Sequence, residues 1–217
     1  MPLRLYLLRN AETDYCRTGR YCSRDGVHLT ERGRQMADYF AKRYRHVTWA
    51  ALFCSPLKHA AETVHPLCNV TGMELQVRDD LRELSFGKWE GMAPRDVNHL
   101  FHDDYIRWLA DPAWNSPTRG EKGIRVARRC SDVLEEIEES YPDGNVLVVS
   151  HKAALRIMLC TLLGVDVGRY RDRLAMPVTA LSMVELMKYG PFVRNFNDCS
   201  HLPRHLRRPW AGNGSDG

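Results

Sequence analysis

The first apolar run, Leu3-Arg4-Leu5-Tyr6-Leu7-Leu8, has the length of a strand and stops abruptly at the polar stretch Arg9-Asn10-Ala11-Glu12-Thr13. A Gly- and Asp-containing loop over 19–28 follows. Thr30 can then cap a helix whose face carries Met36, Ala37, Phe40, Ala41 and Tyr44 at the helical period. Residues 49–54 read as a second buried strand. Ser55-Pro56 places proline near the start of a helix running to about Cys68, since a first-turn proline has no bonded N–H to lose. Leu75-Gln76-Val77 reads as a short third strand.

Between 79 and 123 the pattern loses any clean period and collects Pro, Gly and aromatic residues, which marks an irregular insertion. It reads either as a lid near a site or as a small helical subcore built from Trp89, Phe101, Tyr105, Ile106 and Trp108. Periodicity returns over 125–141, where Val126, Cys130, Val133, Leu134 and Ile137 share one helical face ahead of Pro142-Asp143-Gly144. Asn145-Val146-Leu147-Val148-Val149 has the continuous apolar character of a strand covered on both faces, and Ser150-His151-Lys152 opens a helix through about Leu163. Residues 180–187 and 192–196 form a hairpin across Lys188-Tyr189-Gly190-Pro191, and 201–217 reads as a mobile basic tail. Alternating strands and helices predict one α/β domain over 1–200, a three-layer α/β/α sandwich on a mainly parallel sheet. Ligands bind such sheets beyond the carboxyl ends of the strands, where Arg9-Asn10 and Ser150-His151 both lie if their strands are neighbours.

Composition narrows the function classes. Of 217 residues 44% are hydrophobic and 27% charged, the ordinary globular mix. No uncharged apolar run reaches the length of a membrane span, and the chain begins directly with a strand pattern, which predicts a cytoplasmic location. The seven cysteines form no Cys-x-x-Cys pair and read as reduced thiols, with Cys54 and Cys160 as small core residues. The net charge of +4 comes partly from Arg204-His205-Leu206-Arg207-Arg208 and carries no nucleic-acid motif, so a solvated surface is expected rather than a nucleic-acid partner. His99, His102, Asp103 and Asp104 could be read as a metal cluster, but their spacing fits a solvated helix better, and no metal is expected.

Several separated segments carry a resemblance. Leu7-Leu8-Arg9-Asn10-Ala11-Glu12-Thr13 is similar to the Arg-His-Gly-Glu-Thr signature of the histidine phosphatase superfamily, and Leu29 to Gln35 continues the likeness. Ser55-Pro56-Leu57-Lys58-His59-Ala60-Ala61-Glu62-Thr63 resembles that family's Ser-Pro-Leu-x-Arg-Ala-x-x-Thr segment. Leu81-Arg82-Glu83 with Gly87 and Trp89-Glu90-Gly91 resembles its acid-bearing block, Gly120-Glu121 its Gly-Glu-Ser, and Val148-Val149-Ser150-His151 the segment of its second histidine. The resemblance covers about residues 3 to 200 and implies a phosphoglycerate mutase-like fold, no cofactor and a small anionic or phosphorylated metabolite as partner. In that family a histidine ring nitrogen takes up phosphate, a carboxylic acid protonates the leaving oxygen, and arginines with the second histidine hold the phosphate oxygens.

Three residues depart from the pattern. Asn10 stands where the resemblance expects the phosphate-accepting histidine, and an amide nitrogen, its lone pair delocalised, cannot attack phosphorus. Ala11 stands for glycine, and His59 for an arginine that would donate two charged hydrogen bonds. Glu83 and His151, with Asn10, are the candidate catalytic residues, and Arg9, Thr13, His59 and Lys152 the candidate substrate-binding ones. The expected function is acid/base chemistry of the isomerisation or elimination type. The alternatives are a noncatalytic pseudophosphatase that binds a phosphorylated ligand or a protein, and a slow phosphomonoesterase using direct water attack. A homo-oligomer stays open.

Overall fold

Successive side chains of a strand point to opposite faces, and β1 (Leu3–Arg9) buries one face throughout and the other in part, with Arg4 and Tyr6 half-buried. In this computed structural model, which describes residues 2–207, β1 is followed by α1 (Asp14–Thr18), α2 (Glu31–Tyr44), β2 (Trp49–Cys54), α3 (Lys58–Thr71) and β3 (Leu75–Val77). Next come α4 (Pro94–Leu100), α5 (His102–Ala110), α6 (Gly123–Ser140), β4 (Gly144–Ser150) and α7 (Lys152–Leu163). The chain then forms α8 (Tyr170–Arg173), β5 (Leu181–Met187) and β6 (Gly190–Asp198). The six strands form one sheet in the order β3-β2-β4-β1-β5-β6. β3, β2, β4 and β1 run parallel to one another, whereas β5 pairs antiparallel with both β1 and β6, so the sheet is mixed but mainly parallel.

Alternation sorts the core into two layers. Leu5, Leu7, Phe53, Val146 and Val148 face α6 and α7, and Leu8, Leu52, Cys54, Leu147 and Val149 face α2 and α3. Both faces are therefore covered, which is why the β4 segment reads as an unbroken apolar run. Thr30 caps α2 as the sequence suggests, its hydroxyl accepting the Gly33 N–H at 2.9 Å. Pro56 lies just outside α3, whose N-cap is Leu57, and Pro66 is accommodated inside that helix.

The α2 start lies hard against the loop after β1. A Cβ on Gly33 would sit 2.2 Å from the Glu12 carbonyl oxygen, so only glycine allows this approach. Glu12 is held there by the Thr30 hydroxyl at 3.0 Å and lies 3.7 Å from Arg32 Nε. The 10–13 loop is thus fixed by packing on a helix.

The insertion over 79–123 builds an aromatic subcore. Trp89, Tyr105 and Trp108, joined by Tyr21 from the first loop, make edge-on, tilted and stacked contacts with ring centroids 5.4 to 6.2 Å apart. Of this stretch only Glu83 and Phe86 reach the cavity described below.

The expectation of a mobile tail from residue 201 needs correction up to Arg207. Leu202 and Leu206 are buried with Ala11, Leu29, Met36 and Ala37, because they cover an apolar patch between α2 and the first loop. Arg32 donates to the Leu206 carbonyl at 3.0 Å. The remainder of that tail lies outside the described residues. No helix among the described residues is long and apolar enough to cross a membrane.

Candidate active site

Three parallel strand ends converge. Arg9 at the end of β1 pairs in register with Ser150 at the end of β4, and the Asn10 N–H donates to the Ser150 carbonyl at 2.9 Å. On the other side of β4, the Ser55 N–H donates to the Val149 carbonyl at 2.9 Å. The neighbourhood of Arg9-Asn10 and Ser150-His151 required by the sequence reading is therefore present, with Ser55 and the first turn of α3 added.

His151 lies at the centre. Its Nε2 is 2.7 Å from the Ser55 hydroxyl, and its Nδ1 is 3.2 Å from Asn10 Oδ1 and 3.1 Å from His59 Nε2. One assignment satisfies the set: a neutral His151 with its proton on Nδ1, shared between Asn10 Oδ1 and His59 Nε2, and Nε2 accepting from Ser55. The Asn10 amide is oriented to match, since Nδ2 donates to the Ala11 carbonyl at 2.9 Å. Burial holds His151 well below the ordinary histidine range, helped by His59 and by Arg129, Arg9 and Arg82. Burial also lowers His59 to about 4, against the opposing pull of the Val27 carbonyl and Glu62. Both rings are neutral at pH 7, so His59 brings no charge to an anion.

Glu83 has a double role. Its carboxylate accepts from Leu84 N–H at 2.9 Å and from the Ala153 and Ala154 N–H groups at 3.1 and 3.0 Å, which caps the first turn of α7 from a distant segment. Burial raises its pKa above the ordinary carboxylate value, while those N–H groups and Arg9 pull in the opposite direction. A raised pKa makes a carboxyl a better proton donor than an ordinary carboxylate.

Arg9 is fixed at the opposite wall. Nη1 donates to the Met176 carbonyl, Nη2 to Cys16 Sγ at 3.6 Å, and the buried Nε has no partner. Thr13 caps α1, accepting from Cys16 N–H at 3.2 Å, and its hydroxyl lies 3.3 Å from Cys16 Sγ. Burial by itself would raise the Cys16 pKa, but the Arg9 charge and the hydrogen bonds from Thr13 and Arg9 outweigh it, and the net direction is down.

A cavity of about 610 Å³ brings together every candidate named from sequence: Arg9, Asn10, Thr13, His59, Glu83, His151 and Lys152. Sequence reasoning missed Cys16, which lay three positions after Thr13 in the loop following the first strand, and Ser55, which stood beside a recognised Pro56. It also missed the outer wall, where Tyr15, Arg17, Arg20, Met176 and Leu206 meet from remote segments. Nothing in local pattern signals such a convergence. His99, His102, Asp103 and Asp104 lie outside the cavity. Asp104 accepts from Thr118 at 2.7 Å, and no group of three or more His, Cys, Asp or Glu that could hold a metal occurs among the described residues.

Comparison with known proteins gives a consistent assignment. The family model described as the histidine phosphatase superfamily (branch 1) matches residues 5–199. The chain is similar to phosphoserine phosphatase 1 of Hydrogenobacter thermophilus, 30% identical over 168 residues that cover 77% of this chain and 80% of that one. It is also similar to the adenosylcobalamin/alpha-ribazole phosphatase of Salmonella typhimurium, 29% identical over 161 residues, covering 74% and 80%. Among solved structures, Bacillus stearothermophilus YhfR superposes with a TM-score of 0.85 at 25% identity, covering 92% of this chain and 98% of that one.

Proposed function

The chain belongs to the histidine phosphatase superfamily, and from that premise we propose that its cavity binds phosphate monoesters and hydrolyses them slowly, without a phosphohistidine at residue 10. One observation carries the reading: Asn10, next to the anion-binding Arg9, turns its amide oxygen to His151 at 3.2 Å and ties its nitrogen to Ala11. Neither atom can accept a phosphoryl group. Arg9 supplies the permanent positive charge for the phosphate, and Glu83 supplies the proton for the departing oxygen. Loss of a nucleophile and of one cationic donor removes several powers of ten from the rate that the full set would support.

The relatives' names support phosphate ester chemistry and give no support to isomerisation or elimination. The geometry adds none, because both ring nitrogens of His151 are already engaged and leave no free base facing the cavity. A noncatalytic binder is the second reading. It is favoured by the three N–H groups that Glu83 already satisfies, a structural duty that would keep the residue in place without turnover.

A panel of phosphomonoesters assayed with the wild-type chain and Glu83→Gln separates these readings. Slow hydrolysis that depends on Glu83 supports the enzyme. Inorganic phosphate binding without turnover supports the binder, and turnover at the rate of a fully equipped family member would refute the account.

A further inference from the structure

We infer that Cys16 is the group that takes up the phosphoryl group, its Sγ attacking phosphorus in place of a histidine ring. The inference rests on the phosphate monoester reading and names the acceptor that reading leaves open.

The cavity offers few nucleophiles. The Ser55 hydroxyl is fully buried and donates to His151, and His151 has both nitrogens occupied. His59 is almost fully buried with Nε2 turned to His151. Cys22 and Cys199 share the cavity, but burial pushes each thiol up to about 11, so they stay protonated at pH 7. Cys16 differs in two ways. It is half-buried and opens on the cavity, and its sulfur is approached by two donors, the Arg9 guanidinium at 3.6 Å and the Thr13 hydroxyl at 3.3 Å. Those donors stabilise a thiolate, which is the nucleophilic form. A second feature points to an anionic ligand at the same place: Arg9 is only 9% exposed, lines the cavity, and has Nε without a partner. Its guanidinium contacts the Met176 carbonyl and the Cys16 sulfur and has no carboxylate partner among the described residues, so its charge is left for an anionic ligand such as phosphate.

The chemistry balances with groups already in the cavity. The Cys16 thiolate forms the S–P bond as the P–O bond to the alcohol breaks, and the leaving oxygen takes the Glu83 proton. The products are the free alcohol, a Glu83 carboxylate and S-phosphocysteine. A water then attacks phosphorus and gives a proton to the Glu83 carboxylate, and the S–P bond breaks. Inorganic phosphate leaves, and the sulfur departs as a thiolate held again by Arg9 and Thr13. The two donors that lower the cost of the attacking thiolate also stabilise it as the leaving group.

The test uses the full chain with p-nitrophenyl phosphate for turnover and inorganic phosphate for binding by calorimetry. Cys16→Ala should lose about a hundredfold or more in turnover while retaining phosphate binding. Quenched wild-type enzyme should yield a peptide containing residue 16 heavier by one HPO3. If Cys16→Ala does not fold, Cys16→Ser keeps the shape and the hydrogen bonds, and its un-ionised hydroxyl should show the same loss. Phosphate binding with turnover of the variant within about threefold of wild type would overturn the nucleophile and leave the pocket reading standing. Wild-type protein that neither binds phosphate nor turns over substrate would overturn the pocket reading, and the nucleophile with it.

Discussion

Asn10 and His151 face each other at the ends of adjacent parallel strands, amide oxygen to ring Nδ1 at 3.2 Å, and each fixes the other's orientation. Asn10 is 3% exposed, so its amide has no room to turn without losing either His151 or the Ala11 carbonyl. Asn10→His would put a ring nitrogen beside Arg9. Hydrolysis of p-nitrophenyl phosphate should rise at least about tenfold if that is the nucleophile position, as steady-state assays would measure. Unchanged turnover in a folded variant would count against the assignment of residue 10.

Glu83 links chemistry to stability. Glu83→Ala removes the acceptor of the Ala153 and Ala154 N–H groups, which should cost about 1–3 kcal/mol in chemical denaturation. The same change should lower turnover roughly 10²- to 10³-fold, as expected for the loss of a general acid. In the proposed mechanism Glu83 acts in its protonated form, and its pKa is raised, so turnover should fall as pH rises through that raised value. A profile without that descending limb, or one unchanged in Glu83→Gln, would show that the residue serves the fold alone.

The buried histidines make the fold acid-sensitive. His59 and His201 are both lowered from 6.5 to about 4 by burial, and His151 is lowered in the same direction. Between those values the unfolded chain binds protons that the folded chain refuses. Stability is therefore complete above the ordinary histidine range and is lost as pH falls from 6.5 towards 4. The loss is on the order of 3 kcal/mol for His59 and for His201. Thermal melts at pH 7.5 and 5 should show the fall, and His59→Gln should reduce it. An equal fall in that variant would point elsewhere.

Leu206 closes an apolar patch under the first loop, with Ala11, Leu29 and Met36. Leu206→Ala should destabilise by about 2–4 kcal/mol, and a urea midpoint indistinguishable from wild type would contradict the packing of residues 199–207.

Much of the fold could be read from the chain because both faces of the central strands are covered. Residues 146–149 are continuously apolar, residues 3–8 are apolar but for Arg4, and the helices beside them carry one apolar face. The strand order could not be read, since β4 inserts between β1 and β2 through pairings that local sequence does not specify. The site was legible where side chains sit on strand ends or in resembling segments: Arg9, Asn10, Glu83 and His151. It was not legible where the contribution depends on convergence. Cys16 looks like one thiol among seven until Arg9 and Thr13 are seen to flank it. Leu202 and Leu206 look like isolated apolar residues in a basic stretch until α2 is placed beneath them.

The most direct test of the central claim is to map covalent phosphate on the enzyme during turnover. The chain would be mixed with p-nitrophenyl phosphate, quenched in alkali so that phosphohistidine survives, and its peptides sequenced by mass spectrometry. The account expects no phosphoryl group on residue 10, His59 or His151. A phosphorylated histidine at either pocket position would contradict it.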